Sequence, residues 1–159
     1  MLEEKMNETP EEVFFKYARQ CLSFLKNNPR VPKNVYETLV KYREEGVVPG
    51  WDLIEKTFVN AMPEYKKFIK SKNLDEASPD AVRRFWLEHH NTYAKKDCHV
   101  FVGVVESVSD DGQGSPVYEI KCNGDCRKFS GKWFKDAKIG DKISVHLGFA
   151  SEKIKENLK

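Results

Sequence analysis

The spacing of apolar residues changes once along this chain, near Cys98, and that change limits the architectures open to it. Upstream, apolar side chains recur every three or four residues, as on a helix face. From "CHVFVGVVESV" onward they alternate or cluster in short β-branched runs, as in strands. A single switch of period predicts an α+β chain with a helical bundle over residues 1–96 and a small β-barrel over residues 97–159.

The punctuation supports this division. "TPEE" starts a first helix, with Thr9 as cap, Pro10 in the first turn and Glu12 completing a capping box, and "NNPRVP" stops it near Asn27. "PKNVYETLVKYREEG" is a second helix ended by Gly46, and Trp51 to about Lys72 is a third, interrupted at Pro63. "SPDAVRRFWLEHHNTYAKK" repeats the start signal with Ser78 and Pro79. Downstream, "SDDGQGSP", "NGD" and "KIGD" are turns between the strands "CHVFVGVVESV", "VYEIKC", "CRKFSGKWF" and "KISVHLGFA". "SEKIKENLK" reads as a short C-terminal helix. Four or five short strands in roughly 50 residues suit a closed or half-closed barrel.

Composition narrows the function classes. Lys and Arg total 27 against 25 Asp and Glu, and the balance holds on either side of Cys98. A near-neutral surface argues against nucleic acid and acidic membranes as partners. The longest apolar run, "VFVGVV", is too short to span a bilayer, and the charged start "MLEEKMNETPEE" is unlike a signal peptide. The expected location is the cytoplasm, where the four cysteines are thiols or metal ligands rather than disulfides.

Cys21 keeps helical step with Phe14, Tyr17, Ala18 and Leu25 and is expected in the core. His89 falls on the apolar face with Val82, Phe85, Trp86 and Tyr93, which predicts a satisfied core histidine, with His90 and Asn91 on the flank. Cys122 and Cys126 bracket "NGD" and could face each other across it; a zinc site there would have to recruit Cys98 with His99 or His146. In "KIGDKISVHLGFASEKI", plain alternation places Ile143, Val145 and Leu147 on one face and sets His146 apart. Gly148 would allow close backbone approach and Phe149 would supply a buried anchor.

Two patterns together resemble a known family. Cys98 followed by Gly103, and Gly140, Asp141, Val145, His146, Gly148, Phe149 and Ala150 later, are similar to the small hydrogenase maturation chaperones of the HypC type. The match spans about 60 residues. "FWLEHHN" before the cysteine strand is similar to archaeal relatives that carry a helical extension. The resemblance implies an OB-like barrel that is not an enzyme and binds protein partners, a maturation scaffold or the large subunit of a nickel-iron hydrogenase. It implies that Cys98, with His146, holds and passes an iron centre carrying cyanide and carbonyl ligands. Gly103, Gly148 and Phe149 are the expected partner-binding positions, and Cys98, His99, Cys122 and Cys126 the candidate metal ligands. Two alternatives stay open. One is an OB-type binder of single-stranded nucleic acid using Lys121, Arg127, Lys128, Lys132 and Lys135 around Phe129 and Trp133. The other is a zinc-binding paralogue without maturation activity.

Overall fold

The structure is a computed structural model that describes residues 8–155. The chain divides into two compact units, residues 1–93 and 94–159. The first is helical and the second is a closed five-stranded barrel, so the α+β class and the order of its parts are observed.

In the helical unit, α1 spans Pro10–Ala18, and Thr9 caps it by accepting a hydrogen bond from the Glu12 amide at 3.1 Å. The expected single helix to Asn27 tightens into a 3-10 helix over Arg19–Leu25. Helix α2 (Lys33–Glu45) ends on left-handed Gly46. The third expected helix is two: α3 (Trp51–Thr57) and α4 (Ala61–Lys72). The break falls at residues 58–60 rather than at Pro63, which sits in the first turn of α4, where a missing amide donor leaves no bond unmade. Ser78 caps α5 (Pro79–Arg84), which runs into a π-helical turn at Phe85–His89 and then α6 (His90–Tyr93).

The core of this unit is aromatic. Phe14 is fully buried, with the rings of Trp51, Tyr65 and Trp86 at 5.6, 5.9 and 5.3 Å, and Tyr17 stacks on Trp86 at 5.6 Å. The π turn changes which histidine joins that core. One extra residue per turn rotates everything after it by about 100°. His90, not His89, is therefore buried, with its ring 4.7 Å from that of Trp86. His89 is only partly buried: its ring lies beside Phe68 and Phe85, and its Nε2 is 3.1 Å from Glu64 Oε1.

In the barrel unit, the strands are β1 (Val100–Asp110), β2 (Pro116–Cys122), β3 (Asp125–Ser130), β4 (Lys142–His146) and β5 (Phe149–Lys153). Their order is β1-β2-β3-β5-β4, closed by β4 on β1, with β3 and β5 parallel and all other neighbours antiparallel. Strand β1 is long because it serves two partners: residues 100–104 pair with β4 and residues 104–110 with β2. Val105, Tyr118, Ile120, Phe129, Ile143, Val145 and Ala150 fill the interior. The Tyr118 hydroxyl donates to Phe134 O at 2.9 Å and accepts from the Ala137 amide, tying the loop before β4 to the core.

Two sequence expectations are corrected here. "KISVHLGFA" is not one strand but a hairpin, turning at Leu147–Gly148. Ser151–Lys153 belong to β5 and not to a C-terminal helix, since β4 offers them a ladder; residues 156–159 of that expected helix lie outside the described residues.

Arg83, on α5, is a buried cation held by Glu8 at 2.8 Å and Asp80 at 3.1 Å. Burial alone would raise the Glu8 carboxyl, but Arg83 and Lys16 outweigh it and hold its pKa below the ordinary value. A depressed carboxylate stabilises the fold above its unfolded pKa, and that contribution is lost as pH falls through the folded one. Glu8→Gln should therefore lower stability by about 2 kcal/mol at neutral pH and by progressively less as pH falls below the ordinary carboxyl range, as measured by urea unfolding at a neutral and an acid pH. An equal loss at both pH values would show that the Glu8 charge is not what matters.

Candidate metal and partner site

Where β1 begins, the chain makes a 3-10 turn over Lys96–Cys98, closed by the Cys98 amide donating to Lys95 O at 2.8 Å. Val100, the first residue of β1, is opposite His146, the last of β4. The closing pair of strands thus brings the start of the barrel domain to the end of its fourth strand. Cys98 Sγ lies 3.2 Å from His146 Nε2. The imidazole is 1% exposed and the thiol half-buried. Sγ–H donates to Nε2 when that nitrogen carries the lone pair, and Nε2–H donates to the sulfur when it carries the proton.

His99 follows in extended backbone, and its Nε2–H donates to Ala94 O at 3.1 Å. A carbonyl only accepts, so this bond assigns the proton to Nε2 and leaves Nδ1 as the ring's lone-pair nitrogen in the neutral form. His99 thus flanks Cys98, tied back to the chain just before the 3-10 turn.

Cys122 and Cys126 lie on the β2–β3 hairpin, whose end packs against β1 near Gly103 and Val104. The β2–β3 register pairs Cys122 with Asp125 and Cys126 with Lys121, through a turn in which Asn123 and Gly124 are both left-handed. Directly opposed residues share a face and successive ones alternate, so the two thiols project from opposite faces and do not face each other. Cys122 points into the core, where burial pushes its thiol pKa up, Cys126 adding to the rise and Arg127 opposing it; Cys126 is exposed. The Cys122 sulfur lies beside Gly103, three residues into β1 from Val100. Cys98 and His99 precede β1, whereas Cys122 and Cys126 flank the β2–β3 turn and project from opposite faces of the sheet.

The glycines have structural explanations. A Cβ on Gly103 would meet Lys121 O at 2.5 Å, Ile120 Cγ2 at 2.6 Å and Cys122 Sγ at 2.7 Å, so β2 packs directly on its backbone. Gly148 has open space around it and is required instead by its φ of 82°, in a two-residue hairpin with Leu147 at φ 52°. Close backbone approach, expected at Gly148, belongs to Gly103. The turn explains how His146 is aimed, because His146 and Phe149 are the pair it closes. Phe149 is half-buried beside Trp133 rather than a buried anchor. Phe129, the proposed stacking ring of a nucleic-acid groove, is a core residue, with Arg127 lying over its edge of the barrel and over Phe101. Lys132 sits over Trp133.

The signal missed in the sequence was the Leu147–Gly148 turn, because leucine is a poor residue for left-handed backbone and the run otherwise alternates as a strand does. Two outcomes follow. Gly103→Ala should destabilise the barrel by about 2 kcal/mol, since a Cβ would force the Lys121 backbone carbonyl of β2 to shift. Leu147→Asn should raise stability by about 1 kcal/mol by relieving a left-handed leucine. Thermal unfolding reads both, and opposite signs would mean that β1–β2 spacing and the β4–β5 turn are not as described.

No protein-family model matches this chain, no curated protein matches it and no solved structure matches it, so its function rests on the chemistry of the Cys98–His146 pair and of the barrel that holds it.

Proposed function

We propose that this protein is a protein-binding maturation module of the HypC type, whose barrel is OB-like and whose Cys98 and His146 hold an iron centre as cargo for a partner. The observation that carries the reading is the 3.2 Å approach of Cys98 Sγ to His146 Nε2. These are the cysteine and the histidine of the two sequence patterns that resemble the family, 48 residues apart and adjacent in the fold. The strand order, with β1 closing on β4 and β3 parallel to β5, supports the OB-like assignment.

The donor set suits the cargo. A thiolate is a soft ligand for low-spin iron, and a neutral imidazole is a good companion ligand. Cys98 and His146 leave positions in a metal's coordination sphere for other ligands, as a carrier that hands its cargo on requires. Cys98 is internal and its amide is engaged with Lys95 O, so this chain offers its sulfur without an amino-terminal nitrogen. No catalytic role is assigned to any residue; binding and transfer are the activity.

The test is capture from the native cells with tagged full-length protein, combined with metal analysis under anaerobic conditions. Wild type should retain a maturation scaffold or a hydrogenase large subunit together with iron. Cys98→Ala and His146→Gln should lower the bound iron by about tenfold or more while the fold persists. Iron content and capture that are indifferent to Cys98 would refute the proposal. Retention of zinc alone would favour the zinc-binding paralogue, and recovery of single-stranded nucleic acid the OB-type binder.

A further inference from the structure

The Cys98–His146 contact has the parts of a nucleophile and its base, whatever metal it holds. We infer that Cys98 undergoes thiol–disulfide exchange with small-molecule disulfides, with His146 taking the thiol proton, and that the mixed disulfide so formed withdraws the sulfur from metal. The regulatory half of this inference rests on the reading above; the exchange itself does not.

In the step, Cys98 Sγ attacks one sulfur of an R–S–S–R co-reactant. A new Sγ–S bond forms as the S–S bond breaks. The thiol proton passes to His146 Nε2 and from there to the departing thiolate, so Cys98–SH and RSSR become Cys98–S–SR and RSH. Cys98 is oxidised to the disulfide level and half of the co-reactant is reduced to thiol. Excess RSH reverses the step.

Geometry favours Cys98 over the other three thiols. Cys21 is partly buried and its Sγ–H donates to Ala18 O at 3.2 Å. Cys122 is in the barrel core, where burial disfavours its thiolate. Cys126 is more exposed than Cys98, yet among the described residues no imidazole is recorded against it. Cys98 is half-exposed and in hydrogen-bond reach of a buried imidazole. Of the other barrel cysteines, Cys122 is buried in the core beside Gly103 and Cys126 projects from the opposite face of the sheet, so neither is set against Cys98 to resolve its adduct. Exchange therefore stops at an adduct with the external thiol, which is what a reversible block on a metal ligand requires.

The experiment is incubation of metal-free full-length protein with oxidised glutathione, with peptide mass mapping over time. Cys98 should be modified at least about tenfold faster than Cys126 in the same molecules, despite its lower exposure. His146→Asn should slow Cys98 by about tenfold or more and leave the Cys126 rate unchanged. A Cys98 rate no higher than that of Cys126 overturns the inference, and this wild-type ratio decides whether or not the variant folds. Ferrous iron binding is then measured on unreacted and glutathione-modified protein. Iron bound by the modified form overturns the regulatory half. Metal binding without exchange removes this inference and keeps the proposed function, and exchange without metal binding does the reverse.

Discussion

The antiparallel pairing of β1 with β4 is the contact on which the second unit depends. It closes the sheet, and a closed sheet has no exposed edge to template association with another chain. It also places Val100 opposite His146, so a residue two positions before β1 and one at the end of β4 become neighbours. Without that closure Cys98 is a thiol at the mouth of a strand; with it, Cys98 has an imidazole at hydrogen-bond distance.

The barrel reaches closure by making β1 serve two partners, and that demands a position without a side chain. Gly103 supplies it where the strand passes from pairing with β4 to pairing with β2, and a bulge between Val105 and Ser107 completes the bend. The Leu147–Gly148 turn does a related task at the other end of β4. A two-residue connection with both residues left-handed matches the twist of the flanking strands, and it fixes the last residue of β4, His146, in register with Phe149. A leucine in left-handed backbone is strained, and it is the residue next to the imidazole.

The helical unit follows a different logic. Its stability comes from interlocking aromatic rings around Phe14 and from a buried Arg83 compensated by carboxylates, rather than from a ladder of strands. The π turn at Phe85–His89 sets the places of two adjacent histidines. His90 joins Trp86 inside, and His89 pairs with Glu64 nearer the surface.

What the sequence alone determined was local: where the period changes, where Thr9 and Ser78 cap helices, and where Gly46 stops one. Each of these depends on residues within a few positions of one another, so it is written in the order of the chain. Tertiary structure decided the rest. A π turn leaves no mark in an apolar pattern, since the extra residue is inserted by packing, and so the buried histidine was misassigned by one position. Cys122 and Cys126 look equivalent around "NGD" until the register of β2 on β3 puts them on opposite faces. Cys98 and His146, 48 residues apart in sequence, meet only because β1 and β4 pair to close a barrel, and hydrogen bonding between strands is not a property of either strand's own residues.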